Sequence, residues 1–316
     1  YFVTGIEQQN KNGKEIAKKI NSGILPFEIT DLNFKKKFLY ASKIKKNLVC
    51  SNSIKDIKGS KIVIVSINCD LESKTKSTVN LNSFLNSIES VLFNIDKDSL
   101  LIVESTIPPG TCEKKIVPLI KKVFKKRKID QRKMLLAYTY ERVMPGSNYL
   151  DSIKNYWRVM SGTNKQSISK CKNFLKKIIN TKQYPLTVLE SIRACELGKI
   201  LENSYRSANI AFIEEWSRFA EIINVDIYKV IESIRLRPTH SNLRHPGFGV
   251  GGYCLTKDPL FGEYAAKKLW NIKNLEFLFS KQAMKINDEM PLITFNKIKT
   301  IFKKKHKNKK ILILGM

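Results

Sequence analysis

Apolar residues in the first 190 positions fall in short continuous runs, separated by longer stretches in which they recur every three or four residues. Strands buried on both faces read as such runs, and helices covering a sheet read as such intervals. The pattern therefore predicts βαβ units around a parallel sheet. Predicted strands are 2–7, 61–67, 100–104, 134–138, 157–161 and 186–189, of which Lys61-Ile62-Val63-Ile64-Val65 is the clearest. After Glu190 the texture changes. Residues 192–223 contain no proline and one glycine, Gly198, and predict a single long helix. A helix over 226–235, a glycine-rich loop over 237–252, further helix from Asp258 and a final strand over 311–316 complete the pattern.

This organisation predicts an α/β chain in three parts. Residues 1–190 form an incomplete Rossmann-type parallel-sheet domain, 191–290 a central helical domain, and 291–316 a linker helix with the first strand of a second Rossmann-like domain. The chain opens at Tyr1 inside a strand, so both ends are expected to be cut, and the piece is expected to be inactive alone. In a dinucleotide-binding half, a glycine turn is followed by an acidic residue that ends the second strand and holds the ribose hydroxyls. Glu7 suits that position, and its negative charge favours NAD over NADP.

Composition narrows the function class. The formal charge of +29 raises a polyanion partner, but the lysines are spread along the whole chain, which favours a solvated basic surface and no nucleic-acid groove. The densest run, 303–310, reads as an exposed connector. No signal peptide or apolar run of about eighteen residues occurs, so a cytoplasmic, non-membrane protein is expected. Six scattered cysteines without a C-x-x-C pair argue against zinc sites and a disulfide framework, and no metal is expected.

Three segments carry candidate chemistry. Pro246-Gly247-Phe248-Gly249-Val250-Gly251-Gly252-Tyr253-Cys254 lets backbone approach an anion closely and delivers a cysteine toward a helix start. The helix dipole and Lys257 are expected there to favour a thiolate. On the long helix, Lys199 and Asn203 stand four apart on one face and together suit an oxyanion, or else form a surface pair. Val103-Glu104-Ser105-Thr106-Ile107-Pro108-Pro109-Gly110-Thr111 runs from a strand into a turn at the edge where parallel sheets bind ligands. Thr106 offers a hydroxyl at that edge and Glu141 a carboxylate, unless Glu141 simply pairs with Arg142.

In this order the segments resemble the UDP-glucose/GDP-mannose dehydrogenase family over almost the whole chain. The resemblance rests on 104–111, Glu141-Arg142-Val143-Met144-Pro145-Gly146, the helix with Glu196, Lys199 and Asn203, and Gly251-Gly252-Tyr253-Cys254 with Lys257 and Asp258. It implies two hydride transfers to NAD, a homodimer through the central helix, and a UDP-sugar substrate. By the same resemblance Cys254 forms the thiohemiacetal and thioester, and Lys199 and Asn203 stabilise the oxyanion. Asp258 and Thr106 place a water, Glu141 activates the hydrolytic water, and Glu7, Ser105 and Thr106 contact the cofactor. Arg244, Phe248, Gly249, Gly251 and Gly252 join Lys199 as substrate contacts. UDP-glucose dehydrogenases carry a further glutamate where this chain has Pro145, so a UDP-N-acetylhexosamine such as UDP-N-acetylmannosamine is favoured over UDP-glucose or GDP-mannose. The loop Ile67-Asn68-Cys69-Asp70 departs from the family's Pro-Thr-Pro-like turn. An inactive remnant and a polyanion binder are the competing classes.

Overall fold

The computed structural model describes residues 1–75, 77–144, 146–302 and 310–313. Strand β1 (Val3–Ile6) pairs in parallel with β2 (Leu48–Ser51), and α1 (Lys11–Asn21) and α2 (Leu32–Leu39) form the crossover between them. Asn10 caps α1, its side chain accepting from Gly13 N–H at 2.8 Å. Asp31 starts two helices at once. It accepts from Phe34 N–H in α2 at 2.9 Å and from Leu150 N–H in α5 (Tyr149–Lys154) at 2.8 Å, so its carboxyl lies below the usual range.

The main sheet has five strands in the order β3 (Ile62–Val65), β6 (Leu100–Val103), β7 (Leu136–Tyr140), β8 (Val159–Gly162) and β9 (Thr187–Val188). A hairpin of β4 (Asp70–Ser73) and β5 (Thr78–Asn80) follows β3 and leads into α3 (Leu81–Asn94). Helices α4 (Val117–Lys126) and α6 (Lys165–Ile178) complete the layers. Every residue of β6 and β7 is buried, as expected for central strands covered on both faces. Ile88, Ile116, Ile120 and Val123 pack from one side, and Cys171 and Leu175 from the other.

Each of the six predicted strands overlaps an observed one, but the sheet is not uniformly parallel: β8 runs antiparallel to β7. The connection between them holds only the six-residue α5, too short to carry the chain back across the sheet as a parallel crossover does. Strand β2 and the β4–β5 hairpin were outside the predicted set; Asp70-Leu71-Glu72-Ser73 is largely polar and exists as a strand only through its partner.

Helix α7 (Ile192–Ile222) is capped by Ser191, whose hydroxyl accepts from Ala194 N–H at 3.2 Å. At about 1.5 Å per residue it is roughly 46 Å long. Helix α8 (Ile227–Arg235) follows, then the loop, a short turn at Asp258–Leu260, α9 (Phe261–Tyr264) and α10 (Leu278–Ile301). Small residues let α10 lie close on α7: Ala211 meets Ala283 and Ile286, and Asn287 Nδ2 donates to Ser207 Oγ at 3.0 Å. The helix predicted from Asp258 onward is interrupted between a π-helical turn at Ala265–Leu269 and the start of α10. The predicted final strand is not seen. Residues 311–313 carry no strand and are exposed, since an isolated segment has no ladder to join, and 314–316 lie outside the described residues, as do 303–309 of the basic run. No helix among the described residues is long and apolar enough to cross a membrane.

Candidate active site

The inward stripe of α7 contains Ile192, Cys195, Glu196, Lys199, Asn203 and Ser207, spaced by three and four residues. Four of these are polar. A buried polar side chain requires a partner, and each of these finds one on a different element. Lys199, with a side chain 10% exposed, donates from Nζ to the Glu141 carbonyl at 2.8 Å and lies 3.5 Å from Glu141 Oε1. Asn203 Nδ2 donates to Asp258 Oδ2 at 2.7 Å. Lys257 Nζ donates to the other Asp258 oxygen at 2.6 Å. Burial raises the Asp258 carboxyl above its ordinary range against the pull of Lys257 and Asn203.

Cys254 stands at the start of the same tight turn, its carbonyl accepting from Asp258 N–H at 3.0 Å. Its thiol is raised, first by partial burial and then by Asp258, while Lys199 and Lys257 pull it down and Glu141 adds to the rise. This corrects the expectation of a favoured thiolate. Partial burial and the Asp258 carboxylate outweigh the pull of Lys199 and Lys257, and Cys254 lies four residues before the helical run that starts at Asp258, outside its first turn. The same charges show that Cys254, Lys199, Asp258 and Glu141 lie within electrostatic reach of one another.

The alternative in which Glu141 pairs with Arg142 does not hold: Arg142 Nε donates to Glu202 Oε1 at 2.9 Å, and Glu141 accepts from the backbone N–H of Val143. Pro145, on which the substrate preference turned, lies outside the described residues. Ser105 and Thr106 sit where β6 ends. Ser105 Oγ accepts from Ile67 N–H at 2.9 Å and so ties the ends of β3 and β6 together, while Thr106 is half-buried. Glu7 follows β1, its N–H bonded to Ser51 O at 2.9 Å, away from the Cys254 cluster in sequence and in pairing. Arg244, Phe248, Gly249, Gly251 and Gly252 belong to an exposed loop that reaches the cluster through Cys254; Phe248 is 81% exposed. Gly252 has φ +84, a left-handed turn that suits glycine.

Three participants were not assigned from sequence. Glu196 is fully buried and accepts from Gly110 N–H at 2.5 Å and Cys112 N–H at 2.9 Å. Its place on the inward stripe was the available signal. Tyr253 donates to the Cys69 carbonyl at 3.2 Å and to the Asp70 carboxylate, mooring the cysteine loop to the loop after β3. Trp270 Nε1 donates to Pro109 O at 2.9 Å. Nothing in the local sequence announces the last two, because both contacts span more than a hundred residues.

These elements recur together in known proteins. Residues 3–179 match the NAD binding domain of the UDP-glucose/GDP-mannose dehydrogenase family, and residues 193–289 match its central domain. The chain is 35% identical to a UDP-N-acetyl-D-mannosamine dehydrogenase of Methanocaldococcus jannaschii over 75% of its own length and 49% of the relative's. Against the enzyme of the same name from Pyrococcus horikoshii it is 28% identical, over 92% of its length and 63% of the relative's. A solved structure titled as UDP-D-ManNAc dehydrogenase from Pyrococcus horikoshii superposes with a TM-score of 0.81 at 25% identity, covering 96% of this chain and 66% of that one. The chain thus spans about half to two thirds of the length of these relatives. Because the two matched models run in the same order as the sheet and the α7 region and together take in most of the residues, the chain belongs to the UDP-glucose/GDP-mannose dehydrogenase family.

Proposed function

We propose that this chain carries the catalytic residues of an NAD-dependent dehydrogenase that oxidises the C6 hydroxyl of a UDP-sugar to a carboxylate, with a UDP-N-acetylmannosamine-type sugar favoured. The observation that supports this reading is the convergence of Cys254 with Lys199, Asn203, Asp258 and Glu141. The names of the relatives favour the N-acetylated sugar.

NAD, when bound, accepts the hydride leaving C6 in each of two oxidations. Two residues are assigned to its ends. The Glu7 carboxylate follows a parallel strand, where an acceptor pair suits a ribose diol, and Thr106 offers a hydroxyl at the same kind of strand end. After the first oxidation the Cys254 sulfur adds to the aldehyde carbon, and the thiol proton passes to the carbonyl oxygen, giving a thiohemiacetal. Loss of a hydride from carbon and a proton from oxygen converts it to a thioester. Water then adds, with Glu141 taking its proton. The C–S bond breaks, the sulfur regains a proton and the carboxylate leaves.

Donor arithmetic leaves room for this chemistry. An ammonium has three N–H bonds and an amide two, so Lys199 and Asn203 each keep at least one for a substrate oxygen beyond Glu141 and Asp258. Asp258, with Thr106, is assigned the water that carries the first proton.

The opposite face of α7 bears Leu197, Leu201, Tyr205, Phe212, Trp216 and Phe219, all exposed. This apolar stripe supports a homodimer through the central helix. Six free cysteines suit a reducing compartment and hence the cytoplasm. The test is to supply the enzyme carrying this chain with UDP-N-acetylmannosamine and excess NAD. NADH with the matching uronate is expected; no NADH from any UDP-sugar would overturn the proposal.

A further inference from the structure

Resting on the function proposed above, we infer that Glu196 is a positioning residue. From the helix that carries Lys199 and Asn203 it grips the Pro-Pro-Gly turn, and so fixes where Thr106 stands relative to them.

The turn 108–112 follows Thr106 and Ile107, a few residues beyond the end of β6 at Val103. Its backbone is held from two elements, and the segment leading into it from a third. Glu196 of α7 accepts the N–H groups of Gly110 and Cys112 at 2.5 and 2.9 Å. Trp270, just beyond the 265–269 turn, donates to Pro109 O at 2.9 Å. Tyr138 of β7 donates to Ser105 O at 3.2 Å. Gly110, at φ +98, lies so close to the indole that an added Cβ would stand 2.6 Å from Trp270 Nε1, so the packing admits no side chain. Lys114 and Arg193 cover the ring, 4.4 and 5.6 Å from its centroid.

A carboxylate buried without a cationic partner is costly, and two charge-assisted backbone bonds are what this one has in return. Burial pushes its carboxyl up to about 7 even so. Glu196, Lys199 and Asn203 are spaced by three and four residues on a rigid helix, so the grip transmits the registry of α7 to the end of β6. A leucine at position 196 would bury as well and would hold nothing.

The test compares wild type, Glu196→Gln and Trp270→Phe in the enzyme carrying this chain, by site-resolved amide exchange and by kcat and KM for UDP-N-acetylmannosamine. The glutamine keeps shape and one acceptor but sets an NH2 against a backbone N–H, which removes one bond and leaves the other without its charge assistance. Exchange at Gly110 and Cys112 should quicken roughly ten-fold or more, with kcat falling by about ten-fold while KM stays within about two-fold. Trp270→Phe, which keeps an aromatic ring but loses the indole donor and part of the packing against Gly110, should move both readouts in the same direction by less. Unchanged exchange in Glu196→Gln would overturn the grip. Faster exchange with unchanged kcat would overturn its role in positioning. A wild type that forms no NADH would contradict the proposed function, and amide exchange would then decide the grip by itself.

Discussion

The two faces of α7 are opposites of what an amphipathic helix ordinarily presents. Its inward face buries a carboxylate, an ammonium and an amide, each matched to a partner on a separate element. Its outward face exposes leucines and aromatics, with Leu201 63% and Trp216 52% exposed. Burying apolar groups stabilises a fold without further conditions, whereas burying polar ones stabilises it only while every partner is in place. The inner face is therefore the more fragile, and the outer face is free to serve another surface.

The largest effect expected on this contrast comes from Lys199→Ala. Loss of an oxyanion donor should lower kcat about 10²- to 10³-fold with a smaller change in NAD affinity; a variant weakened in NAD binding and normal in turnover would remove Lys199 from the chemistry. Next is Glu196→Gln, read by stability against pH. Burial raises Glu196 from 4.5 to about 7, opposed by the Gly110 and Cys112 bonds and reinforced by Glu113. Its other titratable neighbours are Cys112, Cys195 and Tyr138. The folded chain then holds this proton longer than the unfolded chain. Its contribution to stability is therefore full below about 4.5 and is lost as pH rises to about 7. The glutamine variant should gain on wild type across that window by on the order of 3 kcal/mol. A difference between the two that does not change with pH would show that Glu196 is not the group concerned.

Asn203→Leu should be smaller. It leaves Asp258 with Lys257 as its remaining side-chain partner, a loss of about 1–3 kcal/mol in chemical unfolding. No loss would mean that solvent replaces the amide. The smallest effect on the folded protomer is expected from Trp216→Glu, within about 0.5 kcal/mol. Light scattering should nonetheless show dimers giving way to monomers. A wild-type monomer would sharpen the contrast differently, by removing the second copy as occupant of the outer face.

The same contrast explains what could be read from the sequence. Strands such as Ile62–Val65 and Leu100–Val103 announce themselves because burial on both faces leaves an uninterrupted apolar run. Helix α7 was legible from the absence of proline, and the shared face of Lys199 and Asn203 from their spacing of four, whereas the role given them rested on the family resemblance. Strand direction was not legible, since hydrophobicity carries no sense of it, and β8 proved antiparallel. The thiol of Cys254 goes against the sequence expectation because partial burial and the Asp258 carboxylate, which only the fold brings about, outweigh the pull of Lys199 and Lys257. The contacts of Tyr253 and Trp270 exist only once distant segments meet.

The most direct test of the account is the number of NADH formed per UDP-N-acetylmannosamine by wild type and by Cys254→Ala, in the enzyme carrying this chain. A thioester route predicts two per sugar with uronate for wild type, and at most one, without uronate, for the variant. Two per sugar with uronate from Cys254→Ala would contradict it.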